Sequence, residues 1–329
     1  MQQRQLGRTG FTAGALGLGC MGFSQGYGPA DDGESIKALH RAVELGIDLL
    51  DTAMSYGQGH NEQLVARALA ELANRGEVQV ATKFGIVRTE QGVSLDGRPD
   101  HVRGYCDASL ERLGVDVIDL YYLHRVDPQV PIAETVQAMA QLVDDGKVRY
   151  LGVSEVTAEQ LRAANAVHPI AAVQFEWSML WREPELDIIP AARELGVGLV
   201  PYSPLGRGLL TATLNRDTIG TSEFRRTDPR FQDTNLDRNL SQIEALREVA
   251  DSLSITAGQL ALAWLLAQGD DVVPIPGTRR LDRIAENAAA GDVELSPAEL
   301  ERLDLAVRPE MWAGDRRSFA VPAMTRTTT

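Results

Sequence analysis

Short apolar runs alternate with longer amphipathic stretches along almost the whole chain. Eight runs rich in apolar and β-branched residues predict strands, and apolar residues at three- and four-residue spacing between them predict helices. The strand runs are apolar throughout, which is typical of parallel strands buried on both faces. The predicted strands span 13–21, 47–52, 78–84, 117–124, 148–154, 171–177, 198–206 and 272–278, and the predicted helices span 34–46, 60–75, 98–113, 131–146, 157–167, 185–195, 239–268 and 281–290.

Eight strand–helix units in 329 residues predict an α/β fold, a (β/α)8 TIM barrel, as one domain over residues 1–329. A doubly wound sheet is the alternative with the same alternation. The first 19 residues predict a hairpin that closes the bottom of the barrel. Residues 205–238 predict a long loop after the seventh strand. An extra C-terminal helix is predicted to begin after Ser296 and Pro297, and the tail from about 318 to 329 is expected to be disordered.

The first strand run contains the spacing G-x-G-x-x-G, Gly17 to Gly22, which resembles the dinucleotide fingerprint of a Rossmann fold. That fingerprint needs a helix directly after the glycines and an acidic residue about 20 positions further on. Here more glycines and a proline follow, and the first acidic residue at a strand end is Asp51, 29 residues after Gly22. We therefore interpret these glycines as a turn that leaves a buried strand.

The net charge of −14 disfavours nucleic acid and anionic membranes as partners, because the overall field repels them. Apolar runs long enough to cross a membrane are absent, and the first residues lack the apolar core of a signal peptide. The two cysteines, Cys20 and Cys106, form no disulfide framework, so we expect a cytoplasmic protein. An anionic cofactor would need a local cluster of positive charge.

Polar residues stand where successive predicted strands end, the place where TIM barrels build their active sites. Each alone has a structural explanation, such as a turn residue or a surface charge, but six successive strands bring polar groups to one rim. In chain order these residues are Asp51 with Tyr56, Lys83, His124, Ser154, Gln174 with Glu176, and Tyr202 with Ser203.

Four of these residues suggest proton chemistry. Lys83 is flanked by apolar strand residues, and a buried lysine needs a partner, for which Asp51 is the natural choice. A nearby ammonium is expected to lower the pKa of Tyr56, and His124 could orient a substrate carbonyl. The set could protonate an oxygen that becomes negative as hydride arrives at carbon. A Schiff-base lyase that uses Lys83 as nucleophile is the alternative. A metal site is not expected, since only His124 of the five histidines sits at a strand end.

Arginines cluster after the eighth predicted strand, where barrels often bind phosphate. Arg279, Arg280 and Arg283 lie near the start of a predicted helix, where positive charge is unfavourable without an anion. These side chains could clamp the 2′-phosphate of NADP. Trp177, at the end of the sixth strand, could stack on a nicotinamide or simply pack in the core.

Six motifs together resemble the aldo-keto reductase superfamily, nearest to its bacterial and plant-type NADPH-dependent aldehyde reductases. They are "GIDLLDTAMSYGQGHNEQLVARAL", "VATKFG", "YYLHRVDP", "VQFEWSMLWRE", "YSPLGRGLLT" and "IPGTRRLDRIAENAAA", in the family's order between about residues 4 and 307. The resemblance implies NADPH-dependent reduction of aldehydes and ketones, with a catalytic tetrad of Asp51, Tyr56, Lys83 and His124. Tyr56 would be the proton donor.

The resemblance also implies a cofactor site without a Rossmann fold. The nicotinamide would lie against Trp177 and contact Ser154 and Gln174, and the segment from Ser203 to Arg207 would pass over the pyrophosphate. The implied cofactor residues are Met21, Gly22, Asp51, Ser154, Gln174, Trp177, Tyr202, Ser203, Pro204, Leu205, Arg207, Gly277, Thr278, Arg279, Arg283, Glu286 and Asn287.

Two positions depart from the family pattern. Glu155 stands where many members carry asparagine, and Gly277 where many carry lysine. A weaker resemblance to the potassium-channel β-subunit branch leaves an NADPH-binding regulatory role open. Trp181 and Trp312 are expected near the pocket, but neither the substrate nor the oligomeric state follows from the sequence.

Overall fold

A barrel of parallel strands is the centre of the protein in the computed structural model, which describes residues 1–89, 92–219, 222–318 and 321–324. The strands are β1 Gln3–Leu6, β2 Phe11–Gly14, β3 Leu18–Gly19, β4 Leu49–Asp51, β5 Gln79–Phe84, β6 Ile86–Thr89, β7 Gly92–Leu95, β8 Ile118–Leu123, β9 Val148–Ser154, β10 Ile170–Glu176, β11 Gly198–Tyr202, β12 Arg316–Ser318 and β13 Val321–Met324. Seven of them form one parallel sheet in the order β3–β4–β5–β8–β9–β10–β11.

The segment 272–277 closes the barrel between β11 and β3. On one side, Val273 N donates to Leu199 O at 2.9 Å. On the other side, Gly17 N donates to Pro274 O at 3.0 Å and Gly19 N donates to Pro276 O at 3.2 Å. Because prolines have no N–H, this segment cannot form a regular ladder. The eighth predicted strand is therefore an extended, proline-interrupted edge, and the (β/α)8 barrel is confirmed.

The helices surround the barrel. They are α1 Asp32–Glu44, α2 His60–Ala70, α3 Pro99–Leu113, α4 Ile132–Asp144, α5 Ala158–Val167, α6 Ile188–Leu195, α7 Arg216–Ile219, α8 Glu223–Thr227, α9 Asp233–Ser252, α10 Ala257–Leu266, α11 Leu281–Ala289 and α12 Pro297–Ala306. The predicted long loop 205–238 is partly helical, since it contains α7, α8 and the start of α9. The extra C-terminal helix is α12, with Ser296 as its N-cap in a capping box with Glu299.

The single helix predicted over 239–268 is wrong, because α9 and α10 are separate helices bent by 85°. Ser254 has a left-handed backbone with φ of 58°, which ends α9. Thr256 then begins α10 through a capping box with Gln259. No single helix among the described residues is long and apolar enough to cross a membrane, and α9 and α10 meet that test only as a bent pair.

The N-terminal hairpin of β1 and β2 lies at the bottom of the barrel, as predicted. Arg8 N donates to Gly196 O at 2.8 Å, directly before β11 begins. Leu6 and Phe11 join one buried cluster with Leu49 of β4 and other barrel residues. Because the hairpin covers the N-terminal ends of the strands, the opposite end is left for a site.

Two further hairpins were not predicted. β6 and β7 follow β5 directly, and β12 pairs with β13 in the C-terminal tail. Ser318 and 321–324 are thus strand, which corrects the expected disorder for those residues. Residues 319–320 and 325–329, also in that prediction, lie outside the described residues.

Candidate active site

A cavity of about 730 Å³ opens at the C-terminal ends of the barrel strands. Most of the residues predicted for the site line it, at two ends: the catalytic candidates at one, and the segment after the last strand at the other. The predicted residues that line it are Met21, Gly22, Asp51, Tyr56, His124, Gln174, Tyr202, Ser203, Pro204, Leu205, Arg207, Gly277, Thr278, Arg279, Arg283, Glu286 and Asn287. Lys83, Ser154 and Trp177 are not among its lining residues.

Lys83 and Asp51 form a buried ion pair below the cavity, as the apolar flanks of Lys83 predicted. Lys83 Nζ donates to Asp51 Oδ1 and, at 2.8 Å, to the backbone oxygen of Thr52. Gln174 Nε2 donates to the other Asp51 oxygen at 2.9 Å. Burial lowers the pKa of Lys83, and the Asp51 charge opposes that change. Because Lys83 is fully buried and does not line the cavity, its amine has no approach to a substrate carbonyl, which argues against the lyase.

Tyr56 is placed by a tight turn after β4. The backbone is left-handed over Gly57, Gln58 and Gly59, and the two glycines adopt that conformation without a Cβ clash. The Tyr56 ring lies 5.4 Å from Lys83 Nζ and edge-on to the His124 ring, with centroids 5.8 Å apart. Tyr56 therefore stands between the buried ion pair and the cavity.

Burial raises the pKa of the Tyr56 phenol, and the charge on Asp51 adds to the rise. The net shift is therefore upward, opposite to the lowering that the sequence led us to expect, because burial outweighs the nearby positive charge. The phenol is therefore protonated at neutral pH and holds a proton that it can donate.

His124 follows β8 and lines the cavity beside Tyr56. Burial lowers the pKa of its imidazole well below the usual value, and the charges of Arg125 and Lys83 add to the fall. The ring is therefore neutral at neutral pH, and one ring nitrogen carries a proton. Its Nδ1 makes no hydrogen bond within the described part of the chain. A neutral imidazole can donate to a carbonyl oxygen without adding charge to the site.

Two residues predicted to contact a nicotinamide, Ser154 and Trp177, do not line the cavity. The Ser154 hydroxyl is fully buried and accepts from Arg125 Nη1 at 3.1 Å instead of facing the cavity. The Trp177 ring is 1% exposed, packs against Trp264, and donates through Nε1 to Glu185 at 2.9 Å. The ring packs in the core of this structure, so a nicotinamide lying against Trp177 stays a prediction.

Tyr202, at the end of β11, is the aromatic ring that lines the cavity near Gln174. Its hydroxyl is close enough to the Glu155 carboxylate to help lower the pKa of that group. Glu155 in turn forms a buried ion pair with Arg316 of β12. The glutamate that departs from the family pattern thus connects Tyr202 to the C-terminal tail.

Trp181 and Trp312, expected near the pocket, are 1% and 2% exposed and are not among its lining residues. Trp181 lies under the Arg316 guanidinium, 5.8 Å from ring centroid to carbon. Both tryptophans therefore support the rim from within the core.

The far end of the cavity is strongly basic. Six arginines line the whole cavity, against two carboxylates, Asp51 and Glu286, in a chain whose net charge is −14. The arginines are Arg125, Arg207, Arg225, Arg279, Arg280 and Arg283. This local excess of positive charge fits an anionic ligand.

The three arginines after the last strand have different contacts. Arg279 donates to the backbone oxygens of Tyr27 and Pro29, at 2.7 and 2.5 Å, and so ties that loop to the rim. Arg283 pairs with Glu286. Arg280 pairs with Asp282 and is largely exposed.

Gly277 stands where barrel closure leaves no room for a side chain. A Cβ at Gly277 would lie 2.5 Å from Gly19 O, and one at Gly19 would lie 2.8 Å from Ile275 O. Gly17 and Gly19 of the G-x-G-x-x-G spacing therefore serve strand packing, whereas Gly22 lies in the short turn Met21–Phe23 that precedes α1 and has room for a Cβ.

Two loops meet over the cavity. One carries Gly26 and Tyr27, and the other is the loop 205–238, whose conformation could not be predicted from the sequence. Gly26 contacts the Phe224 ring, where a Cβ would lie 2.0 Å from a ring carbon. The Tyr27 ring is edge-on to Phe224, with centroids 5.8 Å apart. Arg225 lies over Tyr27 and donates to Arg207 O at 2.9 Å. Sequence reasoning missed these contacts, because each residue is distant in sequence from its partner.

The aldo/keto reductase family model matches residues 15–308 of the chain. The chain belongs to that family. The aldo-keto reductase is 44% identical to a probable aldo-keto reductase 1 of Glycine max, over 96% of this chain and 92% of the relative. Members of the family are oxidoreductases that reduce carbonyl compounds, so the chain is an enzyme of this class.

Solved structures of the same fold share about a third of their residues with this aldo-keto reductase. A glycerol dehydrogenase from Gluconobacter oxydans matches with a TM-score of 0.85 and 31% identity, over 93% of this chain and 96% of its own. An aldo-keto reductase from Bacillus halodurans, solved in a holo form, matches with a TM-score of 0.79 and 30% identity, over 94% and 97%.

Proposed function

We propose that this aldo-keto reductase reduces aldehydes and ketones to alcohols with NADPH, with Tyr56 as the proton donor. The observation that carries the proposal is a single cavity with a protonated phenol at one end and an arginine-rich wall at the other. Asp51 and Lys83 lie below the phenol as a buried pair. The cavity thus combines a proton source with an anion-binding surface.

The residues that line the cavity fit a phosphorylated cofactor. Arg283 and Arg280 would hold the 2′-phosphate, rather than Arg283 and Arg279 as expected from the sequence, since Arg279 donates to loop carbonyls. Glu286 and Asn287 would contact the adenosine. Ser203 to Arg207 would lie along the pyrophosphate. When bound, NADPH would supply the hydride that reaches the carbonyl carbon.

The proton side of the reaction uses this chain's own residues. A carbonyl oxygen between Tyr56 and His124 would accept a hydrogen bond from the neutral imidazole and receive the phenol proton as it gains negative charge. The Lys83 ammonium, 5.4 Å from the Tyr56 ring, would stabilise the phenolate that remains. Asp51 fixes that ammonium in place.

The test is to mix the purified protein with NADPH and a panel of small aldehydes, with NADH in parallel, and to identify the product. We expect NADPH consumption and the corresponding alcohol. NADPH that binds but is not consumed by any carbonyl would contradict the reductase and favour the regulatory role.

A further inference from the structure

Arg125 is a buried cation at the catalytic end of the cavity. It follows His124 directly, is 7% exposed and lines the same cavity as Tyr56. Its Nη1 donates to His124 O at 2.5 Å and to Ser154 Oγ at 3.1 Å, which are both uncharged acceptors. Its Nε makes no hydrogen bond within the described residues. This guanidinium therefore has donor capacity and charge that its own contacts do not use.

The neighbouring buried charges of the rim are balanced. Within the described ranges Lys83 pairs with Asp51, and three arginines share three carboxylates in one network: Arg316 with Glu155 and Glu176, Arg230 with Glu176 and Asp228, and Arg207 with Asp228. The charge of Arg125 lowers the pKa of Glu155, but Arg316 already contacts both oxygens of that carboxylate. Arg125 is thus an extra positive charge, and a buried charge without a counter-ion is costly.

The charge of Arg125 acts on the reacting groups. It lowers the pKa of His124 and opposes the rise in the pKa of Tyr56 that burial causes. Because Arg125 also follows His124 directly and lines the same cavity as Tyr56, its guanidinium can reach a molecule held between the two side chains.

We propose that Arg125 binds the carboxylate of an oxo-acid substrate, whose aldehyde or ketone group lies between Tyr56 and His124. This inference rests on the proposed reductase function and names its substrate class. A guanidinium binds a carboxylate through two parallel hydrogen bonds, and the carboxylate supplies the missing counter-ion. The carboxylate is a binding group only and is unchanged when the carbonyl becomes an alcohol.

The test compares kcat/KM for two acids, 4-carboxybenzaldehyde and 4-oxobutanoate, with kcat/KM for their methyl esters. We expect the wild-type enzyme to prefer each acid over its ester by tenfold or more. Arg125→Met should lower this acid-to-ester ratio by about tenfold to a hundredfold, the range for a lost charged hydrogen bond. Arg125→Lys keeps the charge but loses the planar guanidinium that can bind both carboxylate oxygens, so it should give an intermediate acid-to-ester ratio.

Arg149→Met is the matched control, because it removes an exposed arginine charge that is not part of the cavity. Its acid-to-ester ratio should equal that of the wild type. Circular dichroism and NADPH titration would show that each variant is folded and binds cofactor.

Equal kcat/KM for acids and esters in the wild type would overturn the substrate class and leave the reductase intact. Weaker NADPH binding by Arg125→Met, with an equal loss on acids and esters, would assign Arg125 to the cofactor and also overturn the proposal. If no carbonyl is reduced at all, the reductase itself fails. Calorimetric titration with benzoate then tests the carboxylate site separately: binding lost in Arg125→Met supports it, and no binding refutes it.

Discussion

Replacing Arg316 by methionine tests how strongly the C-terminal tail is joined to the barrel rim. The Arg316 side chain is 2% exposed and donates to both oxygens of Glu155, which is also 2% exposed. Methionine keeps most of the apolar volume but removes the charge. Of the hydrogen bonds to the Glu155 carboxylate within the described residues, only that from Glu176 N–H, at 3.1 Å, would then remain.

Removing one partner of a buried ion pair leaves an uncompensated charge and costs about 3–5 kcal/mol. We therefore expect Arg316→Met to lower the free energy of unfolding by that amount. Glu155→Asn restores the residue that many family members carry. The double variant should lose about 0.5–3 kcal/mol less than the two single losses added together, because it leaves no charge unpaired at this contact.

The assay is equilibrium urea unfolding of the wild type, both single variants and the double variant, followed by circular dichroism and tryptophan fluorescence. Arg162→Met is the control, since its pair with Glu194 is exposed and should contribute at most about 1 kcal/mol. A loss below about 1 kcal/mol for Arg316→Met, or strictly additive losses in the double variant, would refute the argument that this is a buried, coupled pair.

Three further predictions follow from the site. The kcat/KM for aldehyde reduction should stay level between about pH 6.5 and pH 10, because burial lowers the pKa of His124 and raises that of Tyr56. A fall with rising pH inside this window would mean that Lys83 lowers the Tyr56 pKa after all. Gly277→Ala should cost about 1–3 kcal/mol of stability in urea unfolding, because its Cβ would lie 2.5 Å from Gly19 O, whereas Gly291→Ala, which has open space, should be close to neutral. Arg283→Met should weaken NADPH binding far more than NADH binding in fluorescence titrations, and equal weakening would contradict the 2′-phosphate assignment.

Much of the fold follows from the sequence, because buried parallel strands and amphipathic helices leave strong periodic patterns. Where the prediction failed, a local feature overrode the pattern. The apolar period runs through 239–268, but the left-handed Ser254 and the Thr256 cap divide that helix. Pro274 and Pro276 likewise interrupt the ladder of a strand whose side chains look regular.

The catalytic candidates were predictable because each lies near the C-terminal end of a strand, and in a parallel barrel all these ends lie at the same rim. The orientation of Trp177 could not be predicted, because an aromatic residue at a strand end suits either the wall of a ligand site or the core. Its contact with Trp264 shows that the ring packs in the core of this structure. Arg125 was missed because its unmatched charge becomes visible only after the partners of its neighbours are known. The partnership of Glu155 with Arg316 spans 161 residues and leaves no local pattern.

The central claim is tested most directly by measuring NADPH binding and aldehyde turnover on the same preparations of Tyr56→Phe and Tyr122→Phe. The Tyr122 ring lies 5.7 Å from Lys83 Nζ but does not line the cavity, so it is the matched control for losing a phenol near that lysine. We predict that both variants bind NADPH like the wild type and that only Tyr56→Phe loses turnover, by about a hundredfold or more. Undiminished turnover by Tyr56→Phe would contradict the account.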